Sequence, residues 1–243
     1  PLRLVGSEMC IRDRDWAAVV EVIDDLGGLD LNITQGEMNQ INKYKKDVDG
    51  VTGKNTPNVT QYGLVHLDGT QATTYARIRK LSGDDFKRAS RQRIVLQAML
   101  EKAKKANPAT LVKICNSMVD DISTTLSLDQ MVSLAKDVTK YKISSTTGFP
   151  TDLTTKNMPR CGDTVIPADL VTNVKKLHEY MFDDATYTPS QTVQAISDTI
   201  VNTTGITADS AKINTSDYNE TVGATGTDEI QKGSETTGGT NVQ

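Results

Sequence analysis

Histidine occurs only twice and cysteine three times in 243 residues, which leaves little material for soft-metal chemistry. His66 and His178 lie far apart, with no cysteine or acidic partner at ligand spacing, and both read as structural or surface residues. No Walker loop, G-x-S-x-G elbow or C-x-x-C pair occurs. Long hydrophobic runs are missing as well. Nothing approaches the roughly 18 apolar residues that span a bilayer, and no signal peptide opens the chain. Positive charge is not in excess either: the net charge is −4 and aromatic residues make up only 5%, so a chain-wide embrace of nucleic acid is excluded as a reading. Any anion binding has to be local.

What is present fits one sizeable core with different material at each end. The opening fourteen residues, PLRLVGSEMCIRDR, follow neither a helical nor a strand pattern and resemble the translated adapter scars at the ends of fragmentary gene models. Residues 1–14, with Cys10, Arg12 and Arg14, are therefore set aside as a non-native scar, and the natural protein is expected to begin further upstream. From Ile206 onward the chain is rich in Thr, Gly, Ser and Asn, and residues 206–243 read as a disordered tail. Residues 15–205 form the ordered domain.

Within that domain helices and strands alternate. Trp16, Val19, Val20, Ile23 and Leu26 fall at helical spacing before Gly27-Gly28, and LDLNI follows as a strand. A polar helix spans about Glu37 to Lys46. GLVHL is extended, and Asp68 caps the helix GTQATTYA. The longest helix runs from about Asp84 to Ala106, stopped before Pro108. Amphipathic helices follow near Ala109–Met118 and Leu128–Thr139, TKYKISSTTGFP reads as a strand, and two further helices cover PADLVTNVKKLHEYMF and Ser190–Asn202. The fold class is α/β.

One short window carries the chemistry. Five of the nine arginines, Arg77, Arg79, Arg88, Arg91 and Arg93, fall within YARIRKLSGDDFKRASRQR, whereas the rest of the chain meets its need for positive charge mostly with lysine. A guanidinium offers a planar fork of donors that matches phosphate or carboxylate. If the helix through Tyr75 continued, Arg77 and Arg79 would sit about 200° apart. If it ends near Ala76 and Arg77-Ile78-Arg79 is extended, both forks point one way while Ile78 turns into the core. On the next helix Asp85, Arg88 and Gln92 share a face, with Gly83 as the connecting turn. Three forks, a carboxylate and an amide suit a pyrophosphate. A solvated basic helix face explains the Asp85–Arg88 spacing equally well, but not the preference for arginine.

The run GLVHLDGTQATTYARIRKLSGDDFKRASRQRIVLQAML resembles the signature of the LytR-CpsA-Psr family. VIDDLGGLDLNIT upstream and TTLSLDQMVSLAKDV downstream are similar to flanking segments of that family, and the likeness spans roughly Asp15 to Phe182. It implies a mixed central sheet flanked by helices and a phosphotransferase outside the cytoplasmic membrane. Such an enzyme takes a teichoic-acid or capsule-type glycan carried on polyprenyl pyrophosphate and passes the glycan phosphate to peptidoglycan. By the same resemblance Arg77, Arg79, Asp85 and Arg88 are the catalytic set, and Gln92 and Tyr75 contact substrate. Asp85 either takes the acceptor's proton or orients Arg88. Arg91 and Arg93 lie outside the motif and are assigned to the surface or the rim.

The family's transmembrane helix, its magnesium-binding aspartates and a further arginine would lie before Trp16. The resemblance therefore implies that the full-length protein is membrane-anchored and extracytoplasmic, that magnesium is its cofactor with ligands upstream of this chain, and that the chain as given is soluble and inactive. A non-catalytic module that binds lipid-linked or wall glycans is the alternative. With Cys10 set aside, an extracytoplasmic location makes a Cys115–Cys161 disulfide the expected use of the two remaining cysteines.

Overall fold

The structure is a computed structural model that describes residues 7–79, 84–118, 126–143, 145–159 and 161–218. Helix α1 spans Ser7–Asp25, strand β1 Leu29–Ile33, α2 Gln35–Thr52, β2 Gly63–Leu67, α3 Gly69–Arg77 and α4 Asp84–Lys105. After these come α5 Pro108–Met118, α6 Leu128–Lys136, β3 Asp152–Met158, β4 Gly162–Pro167, α7 Leu170–Phe182, α8 Gln191–Thr204 and β5 Ile213–Asn214. The α/β class is as expected, with the described strands divided between two small sheets, β1-β2 and β4-β3-β5, both antiparallel.

Alternation explains the first sheet. Leu29, Leu31 and Ile33 of β1 are buried while Asp30 faces out, and in the register Leu29 lies opposite Leu67 and Leu31 opposite Val65. These side chains meet Ile23 of α1, Ile41 of α2, Ala72 and Tyr75 of α3 and Ile94, Val95 and Ala98 of α4 in one continuous core. Two capping boxes start the helices that frame it. Thr34 accepts from the Glu37 amide at 3.2 Å while Glu37 Oε2 accepts from the Thr34 amide at 3.0 Å, and Asp68 and Gln71 repeat the arrangement at α3. At the start of α3 the Gly69 amide donates to Asp24 at 2.6 Å, and a Cβ at this position would collide with the Val20 carbonyl oxygen, so α1 and α3 cross almost backbone to backbone.

The C-terminal part is held together differently. Asn173, wholly buried, accepts from the Asp152 amide at 2.9 Å and donates to the carbonyls of Asp152, Ala168 and Asp169. Asp169, with φ at +62°, caps α7 through the Thr172 amide and accepts from Ser197 of α8 at 2.9 Å.

Three sequence expectations are revised. Helix α1 begins at Ser7, so it runs through part of the segment set aside as a scar. The strand expected in TKYKISSTTGFP is not found among the described residues there; Tyr141 and Ile143 are exposed, and the next strands are those of the β3–β4 hairpin, which was not expected. The chain is also ordered past Ile206. Ile213 pairs with Leu153, and the buried Thr215 donates its hydroxyl to the Gly148 carbonyl at 3.0 Å, so residues 206–218 close the second sheet. The remainder of the expected tail, residues 219–243, lies outside the described residues, as does Gly83. Among the described residues no helix is long and apolar enough to cross a membrane.

Candidate active site

The arginine window takes its shape from the end of α3. The last helical residue is Arg77, and Ile78 turns out of the helix at φ −56°, ψ 126°, its amide donating to the Tyr75 carbonyl at 3.2 Å. Ile78 is 4% exposed and belongs to the core. Arg77 and Arg79, on either side of it, line one pocket of about 180 Å³ together with Thr74, Ile78, Tyr44 and Asp47. The helix thus ends one residue later than the extended reading supposed, with Arg77 still helical and Ile78 the residue that turns out, and both arginines border the same cavity. The Arg77 guanidinium stacks on the ring of Trp16, the chain's single tryptophan.

The other residues of the window divide. Arg88 is half-buried and Gln92 exposed on α4, and neither is among the residues lining that pocket. Asp85 sits in the first turn of α4, and its side chain lies outside the described residues. Tyr75, expected to contact substrate, is 2% exposed within the core and supports the loop from beneath. Arg91, assigned to the surface, is instead 4% exposed and paired with buried Glu37, Nε donating to Oε1 at 2.7 Å, while Nη1 donates to the Ile78 carbonyl at 3.4 Å. Arg93 is half-buried, and burial pushes its guanidinium below the usual arginine range, opposed by Tyr180 nearby.

Four contributors went unread in the sequence: Trp16 beneath Arg77, Tyr44 and Asp47 at the pocket, and Glu37 behind Arg91. A signal existed for the last pair. Arg91 shares a helix face with Ile94, Val95 and Ala98, and an arginine on an apolar face needs a buried carboxylate.

The expected disulfide is not formed: Cys115 and Cys161 are both free thiols. Cys161 is exposed in the turn of the β3–β4 hairpin, where its amide donates to the Met158 carbonyl at 3.2 Å and Met158 pairs with Gly162. The strand ladder already holds the segment that a disulfide was expected to pin. Cys115 is half-buried on α5, and burial pushes its thiol up. The two histidines stand apart from the arginines: His66 Nδ1 meets Asp30 Oδ1 at 2.8 Å across β1–β2, and His178 stacks on Tyr187. Among the described residues no group of three His, Cys, Asp or Glu side chains is placed to hold a metal ion.

The described residues form an α/β domain in which Arg77 and Arg79, at the end of α3, border one small cavity. The pattern of the LytR_cpsA_psr family matches residues 14–176, and the chain belongs to the LytR-CpsA-Psr family. It is 28% identical over 122 residues to the polyisoprenyl-teichoic acid–peptidoglycan teichoic acid transferase TagV of Bacillus subtilis (strain 168), covering 49% of this chain and 29% of TagV. It is 28% identical over 125 residues to the corresponding TagU of Enterococcus faecalis (strain ATCC 700802 / V583), covering 51% and 36%. The match therefore spans about a third of each of these curated relatives. Among solved structures, Bacillus subtilis TagV superposes with a TM-score of 0.47 at 20% identity, over 72% of this chain and 63% of that one. A structure of TagT bound to LIIa-WTA gives 0.44 at 22%, over 79% and 59%.

Proposed function

We propose that this chain grips the pyrophosphate of a polyprenyl-linked wall glycan, in a protein that transfers the glycan phosphate to a sugar hydroxyl of peptidoglycan. The observation that carries this reading is the placement of Arg77 and Arg79 at one cavity on either side of core-anchored Ile78. In the reaction the bond between the bridging oxygen and the glycan-bearing phosphorus breaks as the acceptor oxygen bonds to that phosphorus; the acceptor's proton passes to a base, Asp85 or solvent, and polyprenyl phosphate leaves with the electron pair of the broken bond. Fixed guanidinium forks stabilise charge at that leaving group and cost no reorganisation as it develops. Arg88, Asp85 and Gln92, on the neighbouring helix, belong to the same substrate face by this reading.

The polymer is of teichoic-acid or capsule type, and the full-length protein works outside the cytoplasmic membrane, at its surface. Magnesium, where used, is held by carboxylates other than the described ones, and no step is assigned to it. The chain as given is expected to hold donor without turning it over.

Titrating inorganic pyrophosphate into the chain by calorimetry tests the grip. Binding by the unaltered chain, weakened about tenfold or more in Arg77→Ala and in Arg79→Ala, is the expected result; no binding by the unaltered chain overturns it. Incubation with lipid-linked glycan, magnesium and peptidoglycan tests the rest, since measurable product would show that the chain by itself is a transferase.

A further inference from the structure

Arg91 stands where neither helix amphipathicity nor surface charge accounts for it. On α4 it shares a buried face with Ile94, Val95 and Ala98, is 4% exposed, and lies with its Cζ 6.0 Å from the centroid of the buried Tyr75 ring. An arginine in such a place is costly unless its donors are met. Two are met by partners distant in sequence. Nε donates to Glu37 Oε1 at 2.7 Å, and Nη1 reaches the Ile78 carbonyl at 3.4 Å. Glu37 is fixed in turn, because its other oxygen accepts from the Thr34 amide at 3.0 Å in the capping box of α2.

The Ile78 carbonyl belongs to the peptide linking Ile78 to Arg79, the second of the two arginines that line the pocket. Its amide is already tied to Tyr75 at the end of α3, and its side chain is in the core. Arg91 adds a restraint on rotation of the peptide plane leading into Arg79. We infer that Arg91, backed by Glu37, is a positioning residue: it sets the direction in which the Arg77-Ile78-Arg79 strip presents its guanidinium forks, without touching the bound anion itself. The inference rests on the proposed pyrophosphate grip. It adds a buried three-part linkage, from the α2 cap through α4 to the strip.

A purely structural ion pair predicts a different outcome from a positioning one, and the double variant Glu37→Gln/Arg91→Met separates them. Glutamine keeps the capping-box acceptor, and methionine fills the arginine's volume. Exchanging both partners of a buried ion pair for neutral groups of similar size often leaves stability unchanged. The melting temperature of the full chain should therefore stay near that of the unaltered protein. Its affinity for inorganic pyrophosphate should nonetheless fall about tenfold, and amide hydrogen exchange at Ile78 and Arg79 should speed up. The variant Ile166→Val, which lowers stability in the second sheet and outside the cluster that holds Ile78, should leave pyrophosphate affinity unchanged. A folded double variant with unaltered affinity and unaltered exchange overturns the inference. If the unaltered protein does not bind pyrophosphate, the proposed function fails and the exchange data decide the linkage: faster exchange in the variant supports it, and unchanged exchange overturns it. Should the double variant not fold, Arg91→Lys keeps the charge opposite Glu37 but loses the second donor to the Ile78 carbonyl, and a loss of about threefold is expected, read by the same criteria.

Discussion

The two halves of this molecule are held together by different forces. From α1 through α4 a continuous apolar core runs from Ile23 to Ala98, and the arginine strip is anchored on it by Ile78. From β3 to β5 the buried set is small and largely polar: Leu153, Ile166 and Ala168 are joined by Thr154, Asn173, Ser197 and Thr215. That second region also leaves Phe149, Val165, Tyr180, Met181, Phe182 and Ile196 exposed. Dense apolar packing fixes positions to fractions of an ångström. A chemistry that works by placement needs such a platform, and the candidate site lies on the half that has one.

Truncating the platform should have the largest effect. Leu31→Ala, at a position 1% exposed, should cost about 2–5 kcal/mol in urea denaturation and abolish pyrophosphate binding at the temperature where the variant melts. A loss confined to the β3–β5 region would break the comparison. Next in size, Asn173→Ala takes the side-chain partner from the Asp152 amide and one donor from each of three carbonyls, of which those of Asp152 and Asp169 keep a backbone amide, at about 1–3 kcal/mol. Hydrogen exchange in β3 should accelerate while pyrophosphate affinity stays unchanged; a fall in affinity would show that the halves are coupled.

Arg77→Lys tests geometry against charge within the first half. It keeps the positive charge but loses the fork and the stacking on Trp16, so pyrophosphate affinity should fall nearly as far as in Arg77→Ala, about tenfold. Near-normal affinity would remove the argument from fork geometry. The smallest effect belongs to Asp169. Burial pushes its carboxyl up, but hydrogen bonds from Thr172 and Ser197 outweigh that and hold it below the ordinary aspartate value. A depressed folded value stabilises the fold above the unfolded value near pH 4, and that contribution is lost as pH falls through the folded value. Asp169→Asn retains the cap and tolerates the positive φ, so it should change neutral-pH stability by under about 1 kcal/mol and flatten the acid limb of the stability curve. An unchanged acid limb would discount the carboxylate.

The same division governs what the sequence disclosed. The helical period and capping residues located α3, α4, α7 and α8 to within a few residues, and the turn of Ile78 into the core at the end of α3 was legible as well, although the helix keeps Arg77. The β3–β4 hairpin escaped because TTKNMPRCGDT offers no apolar alternation; it is held by its ladder and by Asn173, a partner 21 residues from Asp152. Thr215 looked like tail composition because a buried hydroxyl that donates its one hydrogen among three nearby carbonyls has no hydrophobic signature. Arg91 was assigned to the surface because its partner, Glu37, is 54 residues away. Helical period reports which face a residue occupies; it does not report what waits on the other side.

The crossing at Gly69 bears on the site in a way that distance along the chain conceals. Gly69 opens α3 against Val20, and Arg77 closes the same helix against Trp16, one turn from Val20 on α1. The two helices therefore act as a pair of rigid arms touching at a fulcrum about 12 Å from the guanidinium's own residue. A single methyl group added at residue 69 is a wedge between the arms. It lifts one from the other at the near end and swings Trp16 and Arg77 out of register at the far end. The spacing of Arg77 against Trp16 depends on the absence of one carbon atom at a position eight residues away on the same helix.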